Sequence, residues 1–147
     1  MLPRGDPATG NLPPGIHEAT WPEFVARYGY NPPRLALLAG MKSALDALRA
    51  AGCRRVYIDG GFVSTKEAPG DFDGCWEAMG MELTSLDPVL LTFTQRRAAQ
   101  KAKYGGELFP AEASADQFGT RFFDFFQRDK QTGDAKGIVA FDLGGLP

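Results

Sequence analysis

The clearest pattern in the chain is a run of apolar residues that recur every three or four positions between residues 33 and 51. This spacing is typical of an amphipathic helix that buries one face. The apolar stripe consists of Leu35, Leu38, Met41, Leu45 and Leu48. Asn31 stands before two prolines, where a helix cap is expected, and Gly52 is the type of residue that commonly ends a helix. The pattern therefore predicts a helix over residues 33–51.

Capping signals predict three further helices. Thr20 and Glu23 have the capping-box spacing and predict a short helix over residues 21–28. The Asp87–Pro88 pair begins a second helix, which starts apolar and ends in basic residues. Ser114–Gln117 matches the capping box again and opens a third, whose aromatic stripe is expected to be core, or else a partner surface. The stripe consists of Phe118, Phe122, Phe125 and Phe126.

Short runs rich in β-branched and aromatic residues predict the strands. They cover residues 54–59, 71–76, 107–109 and 137–143. Because these runs are mixed with helices, the sequence predicts one α/β (α+β) domain, with helices packed on a small mixed β-sheet. Residues 1–19, rich in proline and glycine, are expected to form an N-terminal arm, and residues 20–147 the domain.

Composition and charge exclude several classes of protein. The 147 residues carry a formal net charge of −2, which does not favour a general nucleic-acid coat protein. No apolar run reaches the length of a membrane span, and the first residues lack the apolar segment of a signal peptide. Cys53 and Cys75 fit neither a metal-binding spacing nor a disulfide scaffold, so we expect a reducing, cytoplasmic location. A catalytic triad would have to use His17, the only histidine, from the arm.

One group of residues, a glycine pair followed by two aspartates, indicates a catalytic or metal-binding site. Gly60–Gly61 ends a predicted strand, nine residues follow, and then Asp71 and Asp73 flank a phenylalanine. Carboxylates at positions i and i+2 of a strand lie on the same face, roughly 6.5 Å apart, and can hold a hard divalent cation such as Mg²⁺. The glycine pair lets a ligand approach the backbone closely, and a helix beginning there would favour phosphate. The spacing therefore favours phosphoryl or nucleotidyl transfer.

This arrangement resembles the nucleotidyltransferase superfamily that includes polymerase beta, and especially its minimal bacterial members. The resemblance implies a nucleotidyltransferase-like fold and Mg²⁺ or Mn²⁺ held by Asp71, Asp73 and a third acid from a later strand. Glu107 is the first choice for that acid and Glu112 the reserve. The resemblance also implies a nucleoside triphosphate whose phosphates lie near Gly60, Gly61 and Ser64. The runs 12–20, 54–76 and 136–143 are similar to a little-described bacterial and phage family of nucleotidyltransferase-like proteins.

The activity implied by the resemblance is transfer of a nucleoside monophosphate to a hydroxyl of RNA or protein, with a toxin–antitoxin or defence role. Two departures from the family pattern keep an alternative open. Asp59 stands before the glycines and Gly74 follows the second acid, where apolar residues are usual. The alternative is a catalytically inactive binding protein, such as an antitoxin or a phage accessory protein. A metal-dependent nuclease or phosphohydrolase would use the same acids.

A basic cluster near the end of the helix predicted from Asp87 has two interpretations. It consists of Arg96, Arg97, Lys101 and Lys103. Basic residues commonly complement the carbonyl groups at a helix C terminus. Because no acid interrupts residues 88–106, contact with a triphosphate or with RNA phosphates is the alternative.

Overall fold

The computed structural model describes residues 2–147. Within these residues, five strands and four α-helices follow one another. They are β1 (Gly15–Glu18), α1 (Trp21–Tyr28), α2 (Pro32–Ala50), β2 (Arg55–Asp59), β3 (Phe72–Trp76), α3 (Thr94–Tyr104), β4 (Gly106–Pro110), α4 (Phe122–Phe125) and β5 (Gly137–Asp142). Short 3₁₀ turns occur at Gly60–Val63, Leu83–Ser85, Pro88–Leu91 and Leu143–Gly145.

The strands form one mixed sheet in the order β1-β5-β2-β3-β4. Strand β2 runs antiparallel to both of its neighbours, β3 and β5, whereas the outer pairs β1–β5 and β3–β4 are parallel. The predicted α+β domain with helices packed on a small mixed sheet is therefore confirmed. Within residues 2–147, no helix combines the length and the apolar character that a membrane crossing requires.

The first two helices begin where their caps predict. The Thr20 hydroxyl accepts from the backbone N–H of Glu23, and the Glu23 carboxylate accepts from that of Thr20. Asn31 caps α2 by accepting from the N–H of Arg34. The buried face of α2 differs from the prediction, because Leu35 is 49% exposed whereas Arg34 is fully buried. Arg34 points into the protein because its guanidinium donates to backbone carbonyls of the loop after β2.

The two faces of the sheet have different coverings. One face packs on α1 and α2 and forms the main core, with the buried side chains of Phe24, Met41, Leu45, Ile58, Trp76 and Phe141 among its members. The other face carries a smaller cluster under α4 and its flanking loops. That cluster includes Tyr57, Cys75, Phe126, Ile138 and Ala140, with Phe109, Phe122, Phe123 and Phe125 packed against it. Within residues 2–147, one short helix lies over the second face, which leaves room for a cleft.

Two of the predicted helices were wrong in extent. The helix expected from Asp87 is a 3₁₀ turn at Pro88–Leu91 followed by α3, and the first turn of α3 is left-handed at Gln95–Arg97, with φ between 52° and 60°. The helix expected from residue 114 is only the single turn of α4. The Ser114 hydroxyl donates to the carbonyl of Asp116 instead of capping a helix, and Gly119 (φ +79°) turns the chain away.

Part of the predicted N-terminal arm belongs to the sheet. Residues 15–18 form the edge strand β1, which pairs in parallel with residues 137–140 of β5. Residues 2–14 cross the body without a helix or strand, and Leu2 and Leu12 are buried in the main core. The arm is therefore packed in place by apolar contacts as well as by strand pairing.

Candidate metal centre

Three adjacent strands bring three carboxylates into one row. Asp59 of β2 is the register partner of Asp73 in β3, and Asp73 is the register partner of Glu107 in β4. Register partners on neighbouring strands project from the same face of a sheet. The sheet therefore places Asp59, Asp73 and Glu107 side by side on the less covered face. We call these three residues the acidic row.

Asp71 joins this row just before β3 begins. Asp71, Asp73 and Glu107 each offer a carboxylate oxygen, and these three oxygens lie within 4.8 Å of one another. We call these residues the acidic trio. Asp71 and Asp73 converge because they are two residues apart in an extended segment, and Glu107 because β4 pairs in parallel with β3. Carboxylate oxygens at this separation can meet one cation.

Crowding of negative charge affects the protonation of the site. Burial, followed by the charges of Asp71, Glu107 and Asp59, raises the pKa of Asp73 to about 7. Burial and the charge of Glu107 also raise the pKa of Asp71. A carboxylate whose charged form is disfavoured by its neighbours is stabilised most when a cation binds beside it. These two carboxylates are therefore suited to a divalent metal ion.

The outer members of the acidic row have counter-ions of their own. Glu107 lies 2.8 Å from the ammonium of Lys101 and 3.3 Å from the guanidinium of Arg97. Asp59, almost completely buried, lies 3.0 Å from the ammonium of Lys136. Burial raises the pKa of Asp59, and Lys136 opposes that shift. The central residue, Asp73, has no ion-pair partner in the part of the chain that the structure describes.

The glycine turn fits tightly against the acidic row. Gly60 has a φ of +79°, and a Cβ at this position would lie 2.7 Å from Oδ2 of Asp73. At Gly61 the nearest atom to such a Cβ, Cδ of Lys66, lies at an ordinary 3.4 Å. Only Gly60 is therefore required by backbone conformation and space. The helix considered after this pair is a single 3₁₀ turn over Gly60–Val63, so it offers no helix N terminus to a phosphate.

Ser64 lies beside the turn, and its hydroxyl is already engaged. It donates to the carbonyl of Gly61 and accepts from the N–H of Lys66 at 3.2 Å. The residue lines the same cleft as the glycines. In this conformation Ser64 shapes the loop, and a bond to a phosphate would require its hydroxyl to rotate.

A cleft of about 470 Å³ opens beside Asp59 and Asp73. Its walls include the glycine turn and three lysines, Lys66, Lys130 and Lys136. Lys66 and Lys130 are exposed, and both charges act on Asp71. The sequence analysis missed these lysines, because Lys130 and Lys136 are remote in sequence from the acids and only Lys66, two residues after Ser64, was within reach of the motif. We call the cleft beside Asp59 and Asp73 the lysine cleft.

Arg34 was also missed, and it supports the loop that follows the glycine turn. Its guanidinium donates to the carbonyls of Phe62 at 2.8 Å, Ser64 at 3.0 Å and Lys66 at 3.1 Å. A basic residue in the first turn of α2 gave no signal of this role, because its partners lie about 30 residues away. Arg34 thereby helps to hold the loop that carries Ser64 and Lys66.

The remaining sequence candidates lie elsewhere or have a packing role. Glu112, the reserve acid, accepts from the N–H of Ala78 at 3.1 Å and is not a member of the acidic trio. Gly74, an unusual residue for the resembled family, is required by strand packing, because a Cβ there would lie 2.3 Å from the carbonyl oxygen of Tyr57. Asp59, the other residue that departs from the pattern of the resembled family, is a member of the acidic row.

Comparison with known proteins gives one match. The chain belongs to the family of unknown function DUF6932, whose family model matches residues 3–142. No curated protein and no solved structure matches the chain. The matched range includes the whole acidic trio and the whole lysine cleft.

Proposed function

We propose that this protein is a metal-dependent nucleotidyltransferase that moves a nucleoside monophosphate from a nucleoside triphosphate to a hydroxyl of RNA or protein. The observation that carries the proposal is the acidic trio, Asp71, Asp73 and Glu107, whose oxygens lie within 4.8 Å of one another beside a lysine-lined cleft. Carboxylates beside a cleft that carries lysines are the parts that phosphoryl-group chemistry needs, because its catalysis is mostly positioning and charge neutralisation.

The donor set suits Mg²⁺ or Mn²⁺. Both ions prefer oxygen ligands, and Mg²⁺ is commonly held by one or two carboxylates together with substrate phosphates and water. Asp71 and Asp73 would be the principal ligands, since neither has an ion-pair partner within residues 2–147. Glu107 would join them by exchanging contact with Lys101 or Arg97. When bound, the ion would supply Lewis-acid stabilisation of charge on the transferred phosphoryl group.

The lysine cleft would bind the triphosphate. Its volume of about 470 Å³ lies within the usual range for small-molecule sites. Lys66 and Lys130 would attract the phosphate charges, and the exposed Gly61, which carries no side chain, would let the phosphates approach the backbone. Lys136 is less available because it is held 3.0 Å from Asp59.

The reaction would form a bond between the acceptor oxygen and the α-phosphorus and break the bond between that phosphorus and the bridging oxygen of the leaving pyrophosphate. Glu107, at the end of the acidic row away from the lysine cleft, would accept the hydroxyl proton and release it to water. Lys66 and Lys130 would hold the negative charge of the pyrophosphate as it leaves. The nucleoside monophosphate then remains on the acceptor.

One observation favours the alternative of a catalytically inactive binding protein. Glu107 is already neutralised by Lys101 at 2.8 Å and Arg97 at 3.3 Å. If these ion pairs persist, only Asp71 and Asp73 remain for a metal ion. A protein of this kind would mask a partner without consuming nucleotide.

A label-transfer experiment tests the proposal. The protein is incubated with each α-labelled nucleoside triphosphate, Mg²⁺ or Mn²⁺, and total cell RNA or protein. We expect label on a macromolecule and an equal amount of pyrophosphate, both lost in Asp71→Ala/Asp73→Ala and retained in Asp46→Ala, which removes an exposed acid of α2. Absence of transfer by folded protein, or transfer that survives in the double variant, would contradict the proposal. Free nucleotide released from RNA without triphosphate use would indicate a nuclease instead.

A further inference from the structure

A second row of side chains lies beside the acidic row on the same face of the sheet. Tyr57 of β2, Cys75 of β3 and Phe109 of β4 are register partners, each displaced by two residues from a member of the acidic row. Two residues along a strand correspond to roughly 6.5–7 Å, with side chains on the same face. Phe109 therefore lies one such step from Glu107.

Phe109 is the centre of a group of stacked rings. Its ring stacks nearly parallel to Phe122, with centroids 4.1 Å apart and an interplanar angle of 6°. It also stacks on Phe93, at 5.9 Å and 13°. Phe93 keeps 36% of its surface exposed, so an aromatic surface beside the acids is open to solvent. We call these three residues the ring stack.

The segment that follows Phe93 adds positive charge to the ring stack. The Arg97 guanidinium lies 5.5 Å from the centre of the Phe109 ring and also pairs with Glu107. Arg96 is exposed and has no ion-pair partner within residues 2–147, whereas Lys101 and Lys103 pair with Glu107 and Asp87. The backbone over Gln95–Arg97 is left-handed, a conformation that non-glycine residues adopt at a cost and that is concentrated at functional sites.

We infer that the ring stack and the Arg96–Arg97 segment bind the end of a single-stranded polynucleotide, which is the acceptor of the transferred nucleotide. This inference rests on the proposed function. Exposed aromatic rings beside arginines bind single strands because every base can stack on a ring while the cations meet the phosphates. A protein acceptor would not need ring faces beside an exposed arginine, Arg96, that pairs with no acid within residues 2–147.

The position of the ring stack agrees with the direction of the reaction. In-line transfer requires the acceptor and the leaving pyrophosphate to stand on opposite sides of the α-phosphorus. The lysine cleft lies at the Asp59 and Asp73 end of the acidic row, so the acceptor approaches from the Glu107 end. The ring stack is at that end, one step along β4 from Glu107.

Oligonucleotide binding tests the inference without catalysis. Anisotropy is measured with the full chain, in EDTA, on labelled single strands of about a dozen nucleotides, as RNA and as DNA of the same sequence. We expect binding to at least the RNA, weakened about 5- to 100-fold by Phe93→Ala. Phe93→Leu keeps apolar packing without the ring and should weaken binding similarly. Arg96→Gln should reduce the slope of log K against log salt by about 0.7, as for one lost phosphate contact.

Matched controls distinguish binding at this surface from non-specific binding elsewhere on the protein. Phe118 is 82% exposed and lies outside the ring stack. The variants Phe118→Ala and Lys42→Gln should therefore bind the strands as tightly as wild type does. The inference is overturned if the wild type binds neither strand, if folded Phe93→Leu binds as tightly as wild type, or if Phe118→Ala loses as much affinity as the Phe93 variants. Equal melting temperatures of Phe93→Leu and wild type establish that the comparison concerns binding.

The outcomes distinguish this inference from the proposed function. If strand binding depends on Phe93 but no triphosphate is consumed, the nucleotidyltransferase proposal fails and the polynucleotide surface stands. If label is transferred to protein and the Phe93 variants transfer it normally, the proposed function stands and this inference fails. Transfer to the RNA or DNA strand that falls with Phe93→Leu supports both.

Discussion

The buried guanidinium of Arg34 donates to the carbonyl oxygen of Ser64 at 3.0 Å, which connects α2 directly to the loop of the candidate site. The same side chain also reaches the carbonyls of Phe62 and Lys66, and it lies 4.9 Å from the centre of the Phe62 ring. Its charge is thus met by carbonyl dipoles and an aromatic ring. This cation therefore helps to hold the loop that supplies Lys66 to the cleft, together with Tyr30, whose hydroxyl donates to the carbonyl of Lys66 at 3.2 Å.

Arg34→Met should destabilise the protein and disturb the lysine cleft. The methionine fills similar space but leaves buried carbonyls at Phe62 and Ser64 without donors, which typically costs about 2–4 kcal/mol in total. Urea unfolding measures this loss. The control is Lys42→Met, which removes an exposed i,i+4 ion pair of the same helix and should change stability by less than about 0.5 kcal/mol. Equal stabilities of the two variants would contradict the role given to Arg34.

Gly60→Ala and Gly61→Ala form a matched pair across the glycine turn. At Gly60 the new methyl would meet the Asp73 carboxylate at 2.7 Å on a backbone with φ of +79°, so we expect a loss of about 1–3 kcal/mol in stability and weaker Mn²⁺ binding. At Gly61 the methyl has ordinary contact distances, and stability should hold or rise slightly. Thermal melts and Mn²⁺ titration check both.

The sequence predicted those parts of the fold that local signals determine. The caps at Thr20 and Asn31 act over three residues and placed both N-terminal helices correctly. The helix expected from residue 114 failed because a capping-box pattern requires helical residues after it, whereas Asp116 accepts from the N–H groups of Phe118 and Thr120 and forms a turn. Local hydrogen bonding by aspartate competes with helix formation in this way.

The candidate site was predictable only in part for a similar reason. Asp71 and Asp73 are two residues apart, so strand geometry alone brings them together. The position of Glu107 beside them follows from parallel pairing of β3 with β4, which periodicity does not reveal. Lys130 and Arg34 reach the site through long-range packing of a loop and a helix. The sequence therefore identified the paired acids, and tertiary structure supplied the cations around them.

Lys66 and Lys130 should contribute separately to triphosphate affinity. Both are exposed, so Lys66→Met and Lys130→Met should each weaken nucleotide binding about 3- to 10-fold at low salt, with little effect on folding. The two losses should combine in the double variant, and added salt should reduce them. Calorimetry with a non-hydrolysable triphosphate and Mg²⁺ measures the affinities, with Lys42→Met as the control. Unchanged affinity in the double variant would remove the lysine cleft as the phosphate site.

Asp73→Asn should stabilise the metal-free protein, increasingly so at higher pH. The native pKa of Asp73 is raised to about 7, whereas the unfolded chain ionises near the ordinary value of about 3.9. The native state therefore keeps a proton that the unfolded state has released, and wild-type stability falls as the pH rises from about 4 to about 7. Asparagine has no such titration. Since one pKa unit corresponds to about 1.4 kcal/mol, the variant should be more stable by about 2–4 kcal/mol at pH 8 and nearly equal near pH 4.

Magnesium should reduce this difference. A ligand that binds only the native state raises stability by about 2.7 kcal/mol at 100 times its Kd, and wild type, with both carboxylates of Asp71 and Asp73, should gain more from saturating Mg²⁺ than Asp73→Asn does. Urea unfolding at pH 4, 6 and 8, with EDTA or Mg²⁺, gives both comparisons. Asp46→Asn, an exposed substitution on α2, should match wild type under all of these conditions. If the stability difference between wild type and Asp73→Asn does not change with pH, Asp73 is not held among repelling charges. If that difference does not change when Mg²⁺ is added, the acidic trio does not bind the ion.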